Sequence, residues 1–261
     1  MLTEREADLR SARARAQQEI QYFGIERPEH IRLEAIANAR GVELVSGQLQ
    51  GSVARLVRVG DRGRIRVSDD GTNRGRWRFS VAHELGHHVL RHVNDCWLRC
   101  AESSLMDFTG RTLHEAQANV FAAELLLPSA LVRRQCEVSP VNLDPVIALA
   151  NQFGTSVTAA CVRFVELSSE ACALVYAHDG RIKWTKKSSH LYARLHDWGS
   201  ALSKWSLAYD YFAKGSVNNR PEHVDVSAWI ESGARANEIV EHVMPIPSLN
   251  STLSILWLRG N

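Results

Sequence analysis

Two histidines separated by three residues, with a glutamate directly after the first, stand in the stretch RWRFSVAHELGHHVL at 76–90. On a helix, His83 and His87 fall one turn apart on one face, so both ring nitrogens reach a single ion. Glu84 points off that axis, where it is placed to take a proton from water beside the ion rather than to bind the ion itself. That is the chemistry of metal-assisted hydrolysis. Five-residue matches arise by chance, so the reading depends on a buried helix side and a third ligand. Phe79, Ala82, Gly86, Val89 and Leu90 supply the apolar side.

A catalytic zinc site takes three protein ligands and keeps one position open. Extension of the motif by a glycine three residues after the second histidine and a histidine six after is ruled out, because Leu90 and Val93 stand there. A glutamate on a following helix is available. In HEAQANVFAAELLLP, Glu115, Ala118, Asn119, Ala122 and Leu126 share one stripe, and the small residues at 118 and 122 allow close approach of two helices. Asn119, one turn after Glu115, is a candidate to orient a ligand. Glu124 falls on another face and is expected in solvent. The competing reading of Glu115 is an acid favoured at a helix N-terminus. Two histidines and a carboxylate accept Zn2+, and Mn2+ as well. His88, His92 and His114 lie nearby in sequence, but none is identifiable as a donor to a reaction intermediate, and His88 reads as a surface residue.

The elements that must position these groups are legible in part. Helical patterning over 3–40 is interrupted near Gly24 and Pro28. GVELVSG and SVARLVRVGDRGRIRVS alternate apolar and polar residues, as short strands of a hairpin do. The motif helix runs from near Trp77 to about His92, and a second from about Thr112 to Leu127, stopped by Pro128. SALVRRQCE is a short helix, and LDPVIALANQFGTSVTAACVRFVEL reads as two helices joined at Phe153-Gly154-Thr155. That pair has helix-turn-helix punctuation, but its second helix offers little beyond Arg163 to read DNA. After 168 the texture changes to strands, as in ACALVYAHDGRIKWT and TLSILWLRG, with no chemical motif. The aromatics there, Trp184, Trp198, Trp205, Tyr209, Tyr211, Trp229 and Trp257, read as core. The class is α+β, with domains at 1–135, 136–168 and 169–261.

No apolar run approaches the roughly 18 residues of a membrane span. The first twenty residues carry both signs of charge with no apolar signal core, and five scattered cysteines form no disulfide framework. A cytoplasmic protein is expected. Between Arg55 and Arg78 stand eight arginines, no lysine and three aspartates. Arg55, Arg58, Arg62, Arg64 and Arg66 are therefore candidates to bind nucleic acid or another acidic partner, against the simpler reading of a wet hairpin face.

The pair RFSVAHELGHHVL and EAQANVFAAELLLP resembles the ImmA/IrrE family of bacterial metallopeptidases. Its members carry R-F-[ST]-x-A-H-E-L-G-H followed by E-x-x-A-N-x-F-A-x-x-L-L-M-P. With the preceding GDRGRIRVS the resemblance covers residues 35–135. Leu127 stands where methionine is usual, a near-isosteric change. The resemblance implies a zincin-like core of helices on a small twisted sheet, zinc ligands at His83, His87 and Glu115, and Glu84 as general base. It implies cleavage of helix-turn-helix (XRE-type) repressors in response to stress, DNA damage or phage. It also implies a C-terminal α/β module of sensory type at 169–261, with a small molecule as candidate activator, while the arginine stretch makes single-stranded DNA another. Cys100, in the linker between the two motifs, is a candidate thiolate that closes the open metal position until a signal withdraws it. The absence of a cysteine upstream of the histidines counts against a deformylase-like site. Two rivals are a non-cleaving adaptor that holds a repressor around a structural metal and a DNA-binding regulator. The intact Glu84 separates hydrolysis from the first, since a structural site needs no base.

Overall fold

The computed structural model describes residues 3–49, 53–68, 74–92 and 112–259. It divides into two compact units, Met1–Leu131 with Ala150–Ser156, and Val132–Leu149 with Val157–Asn261.

The first unit begins with helix α1 (Glu4–Tyr22), opened by a reciprocal cap in which Thr3 and Glu6 satisfy each other's backbone N–H groups. Gly24, at φ 60°, ends that segment, and Pro28 starts a single 3-10 turn before α2 (Leu33–Ala39). Strands β1 (Val42–Ser46), β2 (Ala54–Val59) and β3 (Arg62–Val67) form one sheet in the order β1-β3-β2. β2 and β3 make the expected hairpin around Gly60-Asp61, but β1 runs parallel to β3. A tight turn cannot join parallel strands, so β1 belongs to no hairpin. The alternation of β3 buries Ile65 and Val67 and exposes Arg62, Arg64 and Arg66.

Helix α3 (Arg74–Val89) packs on β2 and β3, and α4 (Leu113–Leu126) packs against both α3 and α1. Residues 79 to 88 of α3 are buried without a break, so this helix lies in the core on every side. At Gly86, α3 and α4 approach closely. A Cβ there would lie 3.0 Å from Phe121 Cδ1 and 3.3 Å from the Ala118 carbonyl oxygen. The small residues of both motifs are thus the contact that brings the two helices within ligand reach. Glu124, expected in solvent, is instead buried. It accepts from the Ser129 backbone N–H and hydroxyl at 3.1 and 2.6 Å and faces Arg13 at 3.6 Å. The correction has a simple cause: α1 covers the face of α4 that α3 leaves open.

Helices α5 (Ser129–Cys136), α6 (Leu143–Phe153) and α7 (Val157–Leu167) follow, with Gly154 at φ 60° in the turn between the last two. Arg163 is buried on α7 and bonds Glu166 at 3.2 Å. The one basic side chain of that helix is therefore core and offers nothing to a DNA groove.

The second unit holds β4 (Cys172–His178), β5 (Arg181–Lys187), β6 (Arg194–Leu195), α8 (Leu207–Lys214), β7 (Glu222–Asp225), β8 (Ile230–Ser232), β9 (Glu238–Ile246) and β10 (Ser251–Trp257). Its five-stranded sheet, β5-β4-β10-β9-β7, is antiparallel throughout. It is α+β rather than the expected α/β, because tight turns such as Asp179-Gly180 return the chain directly into the neighbouring strand. Trp229 and Trp184 are core as expected, whereas Trp198 and Trp205 are exposed. Among the described residues no single helix is long and apolar enough to cross a membrane.

Glu241 is fully buried on β9. It accepts from the Leu207 and Ala208 N–H groups, the Trp229 indole and the Ser254 hydroxyl, at 2.8–3.0 Å. Burial pushes its carboxyl pKa up, against the pull of those four bonds. Both oxygens face donors, so an amide must set its own N–H2 against a donor. Glu241→Gln is expected to destabilise the protein by about 1–3 kcal/mol, the cost of leaving buried donors unpaired. Denaturant unfolding checks this.

Candidate metal centre

His83 and His87 project from α3 one turn apart, with their Nε2 atoms 3.1 Å from each other. Glu115 comes from the first turn of α4, where its backbone N–H is held by the Thr112 hydroxyl at 3.3 Å. Its Oε2 lies 3.2 Å from His83 Nε2 and its Oε1 3.4 Å from His87 Nε2. All three residues are buried, and their candidate ligand atoms lie within 4.8 Å of one another.

The other nitrogen of each ring is tied away from this cluster. His83 Nδ1 donates to Asn119 Oδ1 at 2.9 Å. His87 Nδ1 meets His92 Nδ1 at 2.8 Å, and His92 Nε2 donates to Gln117 Oε1 at 3.0 Å. Both Nε2 atoms therefore turn inward, toward the carboxylate. Two neutral imidazoles and one carboxylate, converging with their far sides occupied, are the donor set of a three-ligand zinc site. The residues fit the metal.

Without a metal, the inward nitrogens are instead held as donors to the carboxylate. Burial works against an ionised Glu115, yet hydrogen bonds from His83 and His87 and their charges hold its carboxyl far below the usual range. Burial alone would depress His83, but its bond to Glu115 and the charges of Glu84 and Glu115 raise it above its ordinary value. His92 is pushed down to about 4, by burial first and then by His87 and His114.

Glu84 is buried and stands outside the three-ligand group. Its Oε2 accepts from the Leu56 N–H of β2 at 3.1 Å, which fixes one end of the carboxylate beside the sheet. His88, read from sequence as a surface residue, is buried instead. Its Nε2 bonds the Arg40 carbonyl at 3.1 Å and so closes the C-terminal end of α2.

The structure thus brings His83, His87, Glu115 and Asn119 together, with Asn119 acting on His83 rather than on its own helix neighbour. His92 and Gln117 were not singled out from sequence as partners of a ligand. The one available signal was that His92 follows His87 by five residues, just past the last turn of α3. Cys100, with Cys96, lies outside the described residues. Cys136, Cys161 and Cys172 are buried, and burial raises all three thiols, to about 12 for Cys136 and about 11 for Cys172. These are packing residues, not nucleophiles.

The five candidate arginines separate by strand alternation. Arg55, Arg62, Arg64 and Arg66 line one groove of about 830 Å³ on the outer sheet face. Arg58 opens onto a different hollow, with Arg40 and His88. Arg55 stands directly across from Arg66, while Arg64 is paired with Glu43 at 2.7 Å.

Residues 37–165 match the family model Peptidase_M78, the IrrE N-terminal-like domain. The chain carries a Peptidase_M78 domain. The match spans β1 through α7 and so contains every ligand candidate above, and the ImmA/IrrE resemblance read from the two motifs holds. A solved Mycobacterium tuberculosis transcriptional regulator is similar in fold, with a TM-score of 0.58 at 17% identity over 95% of this chain and 87% of that one. No curated protein matches the chain.

The shifts in the M78 cluster set a pH window for the metal-free protein. Glu115 is depressed, so its stabilisation is present above the ordinary value of about 4.3 and is lost as pH falls. His83 is raised, so its share is present below about 6.5 and is lost as pH rises through its elevated value. The melting-temperature gap between chelated wild type and Glu115→Gln is expected to be widest between those two values and to narrow on either side. A gap that ignores pH contradicts the pairing.

Proposed function

We propose that the protein is a zinc-dependent endopeptidase of the ImmA/IrrE type that cleaves a helix-turn-helix transcriptional repressor and thereby induces the genes it silences. The observation that carries this is a buried carboxylate, Glu84, held beside but outside an inward-facing His-His-Glu cluster. His83, His87 and Glu115 would hold the metal. When bound, zinc lowers the pKa of water and polarises the scissile carbonyl. Glu84 removes the proton of the attacking water and returns it to the leaving amine. The Leu56 N–H keeps the carboxylate aimed while the proton moves. Asn119 keeps His83 in the tautomer that leaves Nε2 free to bind. A structural metal site has no use for Glu84, which favours hydrolysis over an adaptor.

Residues 169–261 are assigned a regulatory role on the same reading, in a cytoplasmic protein that responds to stress, DNA damage or phage. The purified zinc form is expected to cut the helix-turn-helix repressor encoded beside it, with Glu84→Gln slower by about 10²–10⁴-fold, the usual worth of a general base. Equal repressor binding by both proteins with no cut by either would favour the adaptor.

Four arginines on one sheet face, against a single Glu43, support single-stranded DNA as an activating partner. The directly opposed Arg55 and Arg66 repel each other, and an anion between them relieves that. Arg66→Ala is expected to weaken binding of a labelled single strand and to lower the salt slope by about 1. Arg58→Ala, off that face, leaves both unchanged. Equal losses from the two variants, read by anisotropy, would remove the face as the site.

A further inference from the structure

A metal-binding histidine commonly donates its far ring N–H to a carboxylate, a carbonyl or a water. His83 does a version of this with Asn119. His87 does not. Its Nδ1 lies 2.8 Å from another imidazole nitrogen, His92 Nδ1, and one proton has to sit between the two.

Which ring holds that proton follows from groups further out. Gln117 Nε2 donates to the Asp8 carbonyl of α1 at 3.5 Å, and this turns Gln117 Oε1 toward His92. A carbonyl oxygen accepts, so His92 Nε2, 3.0 Å away, must carry hydrogen. A neutral His92 with hydrogen on Nε2 offers a lone pair at Nδ1. The shared proton therefore belongs to His87 Nδ1, and Nε2 is the nitrogen of His87 kept for the metal, facing His83 and Glu115. His92 is itself buried and stacked on the His114 ring, with centroids 4.4 Å apart, so its plane is set by packing as well as by bonding.

We propose that His92 and Gln117 are positioning residues. They form a relay that starts at the Asp8 carbonyl and fixes the tautomer and ring plane of His87, so that its Nε2 is presented to the metal before the metal arrives. The proposal rests on the metal reading of the cluster. The relay also explains why His92 follows so closely on α3. The chain turns at Arg91, held at φ 55°, and this carries the His92 ring back beneath the last turn of the helix. His92 binds no metal in this arrangement, because its Nδ1 is engaged with His87 and its Nε2 with Gln117.

The test uses the full chain and three variants. His92→Phe keeps a ring to stack on His114 and removes both nitrogens. Gln117→Leu removes the acceptor, and Gln117→Glu keeps one. Zinc affinity is read by competition with a chromogenic chelator, and imidazole tautomers by long-range nitrogen-15 NMR on the metal-free protein. His92→Phe is expected to weaken zinc binding by roughly 10- to 100-fold and to release His87 into mixed tautomers. Gln117→Leu is expected to weaken binding less and to mix the tautomers of His92, while Gln117→Glu stays near wild type. That rescue separates positioning from packing, since a merely structural role would be lost alike in both Gln117 variants. The proposal falls if His92→Phe binds zinc as wild type does, or if His92 in wild type carries its proton on Nδ1. Should His92→Phe fail to fold, the two Gln117 variants decide. Wild type that takes up no zinc would instead remove the metal reading, and the tautomers would still report on the relay.

Discussion

Everything around the cluster depends on α3 being buried on all sides while carrying four ionisable side chains in sequence positions 83, 84, 87 and 88. A core helix of that kind gains from each polar group that ends on a partner, because an unpaired buried donor or acceptor costs about 1–3 kcal/mol. Each of these four side chains has at least one partner, although His88 Nδ1 and the neighbouring Ser80 Oγ have none among the described residues. His83 reaches Asn119 and Glu115, Glu84 reaches the Leu56 N–H, His87 reaches His92, and His88 reaches the Arg40 carbonyl. The same contacts that make the helix tolerable in the core leave two ring nitrogens and a carboxylate facing one point.

The neighbouring elements follow from that requirement. Sheet strand β2 supplies the donor for Glu84, the end of α2 supplies the acceptor for His88, and α4 supplies both Glu115 and Asn119 on one stripe. α4 can do so because Gly86 and Ala118 let two helix backbones approach. α1 in turn clamps α4, through buried Ala12 and Ala16 and through the ion pair of Arg13 with Glu124. Satisfied polar groups and close packing are here one arrangement.

The candidate metal ligands were legible because their spacing is a property of the helix itself. A four-residue interval places His83 and His87 on one face wherever the helix lies, and the small residues at 118 and 122 announce the approach of a second helix. The strands around Gly60-Asp61 and Asp179-Gly180 were legible for the same local reason. What could not be read were contacts set by a third element. Glu124 looks like a surface acid until α1 is known to cover it, and His88 looks exposed until the end of α2 is placed over it. His92 and Gln117 are 25 residues apart and share no periodicity, so their contact exists only in three dimensions. The parallel pairing of β1 and the antiparallel second sheet likewise depend on long-range register.

The most direct measurement is metal content per chain for the purified wild type, His83→Ala and Glu84→Gln proteins, by elemental analysis after exhaustive dialysis. One zinc or manganese ion in wild type and in Glu84→Gln, with none in His83→Ala, is the expected result, since Glu84 stands outside the ligand set. Loss of the metal in Glu84→Gln, or retention in His83→Ala, would contradict the assignment of ligand and base.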